Sequence, residues 1–293
     1  MQMDSTLAAS PQNTPLTMAN ALRQYWPWFA VFIVIVGYVY RDVLGGMLHV
    51  WLDDENNSHG LLVPAVCAYL IATRREELLR TSVTSCLWGL WITLLGVLML
   101  LAGWVATEFF TMRASLVVII FGTTLYWFGP KVIRVVGGPI AYLLLMIPIP
   151  AIVYDAMAMP LRVFVTQVSV FIMKSFNIIV MREGNVMIFP NITLEVVNAC
   201  SGLRSMTSLL ALSVAFALLF QKSMKNRVIL VLLTLPIALV TNMGRVVGTG
   251  VLAQYFGAAA AEGFFHEFAG MVIFFSALGL LFAAHLILRR LNP

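Results

Sequence analysis

Charged side chains are scarce in this sequence. Asp, Glu, Lys and Arg make up 11% of the 293 residues, whereas 61% are hydrophobic. A soluble domain of this size could not bury so much apolar surface. Only α-helices and closed barrels satisfy the backbone in lipid, and the long apolar runs are typical of helices. The sequence therefore predicts an all-α integral membrane protein that resides in a lipid bilayer.

Several chemical signatures are also missing. The three cysteines, Cys67, Cys86 and Cys200, are too few and too scattered for a disulfide framework. No CxxC, HExxH or GK[ST] pattern occurs, so we expect no metal and no cofactor. The net charge of +5 arises in short loops between apolar runs, so it does not indicate a nucleic-acid partner.

The apolar runs predict about eight transmembrane helices, at 26–40, 61–72, 87–106, 114–128, 135–154, 202–220, 228–252 and 265–288. Residues 157–179 carry Arg162, Gln167 and Lys174, a pattern that favours an interfacial amphipathic helix. We expect a disordered polar tail over 1–24 and a single polytopic catalytic domain over 25–293. With the N-terminus inside, most Lys and Arg residues fall in cytoplasmic loops, which indicates the orientation.

Cys200 lies between a β-prone segment, 186–195, and a long apolar run that begins near Gly202. The predicted orientation makes this β-prone segment extracytoplasmic. A thiol at a helix N-terminus has a lowered pKa, which favours the reactive thiolate. The alternative is that Cys200 is a small packing residue.

Two further polar residues lie towards the same predicted membrane face. Arg245 is inside an apolar run, where an arginine is costly unless it faces a partner or a cavity, so it is a functional candidate. The alternative is a structural bridge to Glu195, Glu267 or a helix-end carbonyl. His266 begins the last apolar run, whereas His285 lies near its cytoplasmic end. A thiol, a guanidinium and an imidazole on one face permit acyl transfer to and from a peptide carbonyl.

Five segments of the sequence resemble motifs of the exosortase/archaeosortase family, in the same order along the chain. They are 57–64, 182–186, 195–204, 242–245 and 266–270. The resemblance implies that Cys200 is the nucleophile, that Arg245 stabilises the oxyanion or positions the substrate, and that His266 is the acid/base. Implied substrates are exported bacterial proteins with a C-terminal motif, a transmembrane helix and a basic tail, the PEP-CTERM type.

The same segments supply further candidates for substrate-binding or supporting roles: His59, Asn198, Ser201, Arg204, Asn242 and Glu267. His59 is equally compatible with a role in capping its loop. By the resemblance, the substrate is transferred to a cell-envelope acceptor, a lipid or a polysaccharide. The enzyme then lies in the plasma (inner) membrane as a multi-pass protein with its site facing the periplasm.

Two other function classes compete with this interpretation. A transporter or flippase could use Arg245, His59 and His266 along a path, but it gives Cys200 no role and the hydropathy shows no inverted repeat. The second class is a membrane-bound acyltransferase or a rhomboid-like hydrolase, and a rhomboid needs a serine nucleophile in a GxSx frame. Ser201 adjoins Cys200 but has no glycine two residues before it.

Overall fold

The computed structural model describes residues 16–196, 203–257 and 264–291, and most of them are helical. In chain order the elements are α1 (Met18–Val39), α2 (Arg41–Asp53), a first 3-10 helix (Ser58–Leu61), α3 (Leu62–Ala72), α4 (Arg75–Arg80), α5 (Leu87–Val105), α6 (Phe109–Phe128), α7 (Pro130–Tyr142), a second 3-10 helix (Leu143–Met146), α8 (Ala151–Ser175), β1 (Met181–Glu183), β2 (Val186–Ile188), β3 (Thr193–Glu195), α9 (Leu203–Phe220), α10 (Met224–Phe256) and α11 (Phe264–Leu291).

Six helical segments of the described chain are long and apolar enough to cross a membrane: Met18–Val39, Leu87–Val105, Phe109–Phe128, Ala151–Ser175, Met224–Phe256 and Gly270–Arg290. Two shorter apolar helices cover Ser58–Ala72 and Ser205–Phe220. The chain is therefore a multi-pass, α-helical membrane protein. Counting both shorter helices as crossings gives eight, and that total stays a prediction.

The structure differs from the sequence prediction between 130 and 179. The span predicted at 135–154 is interrupted after the second 3-10 helix, because Pro148 and Pro150 lack a backbone N–H and a new helix begins only at Ala151. The predicted interfacial helix is instead part of α8, which is 25 residues long. One face of α8 is buried against protein, which an interfacial helix on the bilayer surface would not require.

The N-terminal boundary also differs. Helix α1 begins at Met18, so residues 18–24 of the predicted disordered tail are helical. Thr17 forms an isolated antiparallel bridge with Ser82, and the Met18 N–H donates to the Thr81 carbonyl at 3.0 Å. These contacts tie the start of α1 to the segment after α4. Residues 1–15 lie outside the described residues.

The described chain divides into two compact units. The first unit consists of two segments, the chain up to Leu44 and Ile71–Ala141. Its centre is the α5–α6 hairpin, where Gly89, Gly96 and Gly103 recur every seven residues and are all buried on α5. A Cβ on Gly96 would lie 2.6 Å from Ile119 Cγ1, so this spacing lets the two helices approach closely.

The second unit comprises Gly45–Leu70 and the chain from Tyr142 onward. It contains a three-stranded antiparallel sheet in the order β1-β2-β3. Gly184 has a φ of +61° in the two-residue turn between β1 and β2, a conformation that glycine adopts without strain. The β-prone character predicted before Cys200 is confirmed for β2 and β3, whereas β1 was not predicted. The single catalytic domain over 25–293 stays a prediction.

One core of the second unit joins the sheet to two helices. Val165 and Met173 of α8 pack with Met187 of β2, Val196 after β3 and Val246 of α10. All five side chains are buried, the most exposed being 4% accessible. Apolar contacts therefore attach the sheet to α8 and α10. Val196, which directly follows β3, is attached in the same way.

Candidate active site

Three helices of the second unit form an antiparallel bundle. Leu209 of α9, Ala238 of α10 and Ala277 of α11 pack in one buried cluster. A second cluster contains Ala217 of α9 and Leu230 of α10, together with residues of α11. From the first cluster to the second, residue numbers rise along α9 and α11 and fall along α10. Helix α10 therefore runs antiparallel to the other two. The starts of α9 and α11 therefore lie at the same end of the bundle as the end of α10.

Arg245 lies on the face of α10 that packs against α9 and α11. It follows Ala238 by seven residues, which is about two helical turns, so the two positions share a face. The axial distance between them is about 10 Å, toward the end of α10. Leu203, the first residue of α9, lies about 9 Å before Leu209 in the same direction. Arg245 is therefore level with the first turn of α9.

Asn242 lies one turn before Arg245 and is 1% accessible. Both residues have interactions within the protein, and Arg245 is partly buried. The predicted pair from the 242–245 segment is thus built into the bundle, on adjacent turns of one helix. No described contact identifies Glu195 as the partner of Arg245, and the side chain of Glu267 lies outside the described residues.

His266 and Glu267 are in the first turn of α11, which begins at Phe264. His266 precedes Ala277 by eleven residues, about 16 Å along the helix axis. It is therefore about one turn beyond the level of Arg245, at the same end of the bundle. The backbone of Arg204 lies in the first turn of α9. The side chains of these three residues lie outside the part of the chain that the structure describes.

The predicted nucleophile segment continues from an anchored point. Val196 is 2% accessible, and its N–H donates to the Asn185 carbonyl at 2.9 Å. Cys200 follows Val196 by four residues and precedes the start of α9 by three. Asn198, Cys200 and Ser201 themselves lie outside the described residues. The described chain before them ends in the sheet at Val196, and the described chain after them begins with α9 at Leu203.

His59 belongs to a different part of the second unit. It lies in the first 3-10 helix and is partly buried. Burial lowers the pKa of His59 below its usual value, and hydrogen bonds with the backbone at Leu145 and Asn56 oppose part of that shift. The Trp51 Nε1–H donates to the Met146 carbonyl at 2.9 Å. The contact of His59 with Leu145 joins the two 3-10 helices, and the Trp51 bond joins α2 to the second of them. The supporting role of His59 stays a prediction.

His285, which was not a site candidate, lies toward the other end of α11. His285 is 4% accessible, and its Nδ1 accepts a hydrogen bond from Gln221 Nε2 at 2.8 Å. The ring of Phe216 lies edge-on to the imidazole at a centroid distance of 5.0 Å. Within the described ranges, no group of three or more His, Cys, Asp or Glu residues could hold a metal ion.

The comparison with protein-family models identifies the chain. Residues 51–283 match the model of the transmembrane exosortases, and this range includes all five motif segments. The chain belongs to the transmembrane exosortase family. The predicted resemblance is thereby confirmed, and this exosortase belongs to a family of membrane enzymes that process sorting signals. No curated protein and no solved structure matches the chain.

Two polar residues of this exosortase, Asn185 and Arg162, become candidates for a functional role only in the structure. Asn185 Nδ2 donates to Glu195 Oε1 and to the Val196 carbonyl, each at 3.2 Å. The sequence feature that could have indicated Asn185 is its position in the 182–186 motif. Arg162 lies within α8, and its buried Nε has no hydrogen-bond partner among the described residues. An arginine inside an apolar helix was the signal there.

Proposed function

We propose that this exosortase is a membrane-embedded cysteine endopeptidase or transpeptidase. Its substrates are exported proteins with a C-terminal motif, a transmembrane helix and a basic tail, the PEP-CTERM type. We place it in the bacterial inner membrane with its site toward the periplasm. The observation that best supports this proposal is the placement of Arg245 level with the first turn of α9, on the face toward α9 and α11.

The proposed reaction begins with Cys200 and His266. The imidazole of His266 accepts the thiol proton, and the thiolate of Cys200 attacks the carbonyl carbon of the scissile peptide bond. The helix that begins at Leu203 directs its partial positive charge toward the residues just before it, which favours the thiolate. The guanidinium of Arg245 stabilises the negative charge on the carbonyl oxygen.

The second half of the reaction releases both products. The imidazolium of His266 protonates the amine of the leaving C-terminal fragment as the peptide C–N bond breaks, which leaves a thioester on Cys200. A nucleophile of a cell-envelope lipid or polysaccharide then attacks the thioester carbonyl and restores the thiol. Water in the same position yields hydrolysis. Asn198, Ser201, Arg204, Asn242 and Glu267 are proposed to support these groups or to bind substrate.

The direct test is processing of an exported protein from the same organism that carries such a C-terminal signal. Cys200→Ala, Arg245→Ala and His266→Ala should each abolish processing while the protein still inserts into the membrane. Cys86→Ala and His49→Ala are matched controls. Cys86 belongs to the first unit, and His49 is exposed at the surface of α2. Wild-type processing in Arg245→Ala would reduce that residue to a structural role.

The orientation has a separate test. In right-side-out vesicles, a membrane-impermeant maleimide should label Cys200 ahead of Cys67, which is buried, and Cys86, which is partly exposed. Labelling should slow in His266→Ala, because the thiol loses its base. Labelling of Cys200 from the cytoplasmic face alone would overturn the proposed periplasmic site.

A further inference from the structure

Strand β3 is the part of the sheet nearest in sequence to the proposed nucleophile, since Glu195 precedes Cys200 by five residues. It is also an edge strand, because it pairs with β2 on one side and the sheet ends there. An extended chain of five residues spans at most about 17 Å. A peptide held along the free edge of β3 would therefore lie within reach of the Cys200 thiol.

The register of the ladder determines which backbone groups face this free edge. The Val196 N–H donates to the Asn185 carbonyl at 2.9 Å, so Val196 is in a hydrogen-bonded pair and its backbone faces β2. Hydrogen-bonded and non-hydrogen-bonded pairs alternate along an antiparallel ladder. The backbone of Leu194 therefore also faces β2. The N–H and C=O groups of Thr193 and Glu195 point away from the sheet.

These outward groups have no partner within the described sheet. Thr193 and Glu195 are both exposed, and their backbone groups make no hydrogen bond to any residue that the structure describes. The opposite edge of the sheet differs. By the same alternation, β1 directs the backbone of only one residue outward, Arg182, and that residue is 18 positions before Cys200.

The free edge of β3 is also held in place. Asn185 donates to the Glu195 carboxylate and to the Val196 carbonyl, so the end of β3 is fixed by its own sheet. Val196 is buried in the core that contains Val246, the neighbour of Arg245. An edge that is fixed relative to α10 can set the distance between a bound strand and the groups that α10 carries.

We propose that the free edge of β3 binds the substrate polypeptide as an added, fourth strand. Two donor–acceptor pairs at alternate residues are complementary to another extended backbone, and the family acts on polypeptides. The inference rests on the proposed function, because it takes Cys200 as the nucleophile. Main-chain pairing at Thr193 and Glu195 then supplies affinity with little dependence on substrate side chains, and it aligns the scissile bond beside Cys200.

Proline substitution tests the outward N–H groups without removing a backbone hydrogen bond of the sheet. Proline lacks the N–H and is tolerated on edge strands where that group faces outward. Thr193→Pro and Glu195→Pro should each lower kcat/KM for the exported substrate by about five- to tenfold, the usual effect of one lost hydrogen bond. Thr193→Ala and Glu195→Ala lose the side chain as the proline variants do but keep the N–H, so they should lose distinctly less than the matching proline variants.

Cross-linking gives a second readout, which does not require cleavage. The full chain carries Thr193→Cys with Cys200→Ala, and single cysteines are placed one by one along the substrate region next to the cleavage position. Disulfides should form at every second substrate position, because alternate residues of a strand face the same way. A period of three to four positions, an even distribution, or cross-links only between two exosortase copies would overturn the proposal.

The outcomes separate this inference from the proposed function. Processing that depends on Cys200, but is equal in the proline variants and their N–H-retaining partners, overturns the added strand and leaves the proposed function intact. Wild-type processing that persists in Cys200→Ala overturns the proposed function. The cross-linking period then still decides whether the substrate binds at β3.

Discussion

Removing the side chain of Asn185 should impair processing more than it impairs folding. Asn185→Ala deletes the hydrogen bonds to the Glu195 carboxylate and to the Val196 carbonyl, both 3.2 Å long. The backbone bond from the Val196 N–H to the Asn185 carbonyl remains. The sheet therefore persists, while the strand that leads to Cys200 loses its side-chain anchor.

The expected magnitude follows from these two bonds. Net hydrogen bonds contribute about 0.5–1.5 kcal/mol each, and long ones lie at the lower end, so the pair stabilises this segment by about 1–2 kcal/mol. We expect a roughly tenfold loss of processing, because about 1.4 kcal/mol corresponds to a factor of ten. The assay is the processing rate of the exported substrate in membranes, with the Tm in detergent as the measure of folding.

Two variants make the result specific to the anchor. Asn191→Ala removes an exposed amide from the turn between β2 and β3 and should leave the rate within about twofold of wild type, as most surface substitutions do. Asn185→Asp keeps the size of the side chain, but it cannot donate, and it brings a second carboxylate beside Glu195. It should be at least as impaired as Asn185→Ala. A wild-type rate in Asn185→Ala, or an equal loss in Asn191→Ala, would refute the anchoring role.

Three further predictions concern residues outside the proposed catalytic groups. Gly122→Ala should destabilise the first unit by about 1–3 kcal/mol, because its Cβ would lie 2.6 Å from the Thr93 backbone nitrogen; Gly45→Ala, with no atom within 4 Å of its Cβ, should not lower the Tm. His59 has a lowered pKa in the folded protein. The unfolded chain therefore binds the proton first, and stability should fall as the pH drops below about 6.5. A Tm-versus-pH curve for His59→Gln that is as steep as that of wild type below this pH would contradict the lowered pKa of His59. His285→Ala should lower the Tm through loss of the Gln221 bond, yet the folded fraction should process substrate at the wild-type rate, and a complete loss of processing would contradict its structural role.

Much of the helical architecture was predictable, because a helix that spans lipid requires a long run of apolar residues. The helix predicted at 87–106 is observed over Leu87–Val105, and the predicted final span at 265–288 lies within Phe264–Leu291. The break between α7 and α8 was less accessible. Pro148 and Pro150 were recognised as breaking the predicted span, but Pro160 lies inside α8 without ending it, so proline alone does not locate the boundary.

The parts of the site that depend on tertiary pairing were not predictable from the sequence. Asn185 is one polar residue in a turn, and its role appears only when the pairing of β2 with β3 brings Val196 beside it. The short, exposed strand β1 carries Arg182 and Glu183, so it has no hydrophobic alternation to detect. Arg245 and His266 were detectable as polar residues in apolar runs, whereas the level of Arg245 beside the start of α9 requires the packing of the bundle.

The central claim is that Cys200 forms a covalent bond with the substrate. The most direct measurement is mass spectrometry of the full-length protein after it is mixed with the exported substrate and rapidly denatured. We predict a thioester between Cys200 and the new C-terminus of the substrate, released by hydroxylamine and absent in Cys200→Ala. An adduct on another residue, or continued processing by Cys200→Ala, would contradict the account.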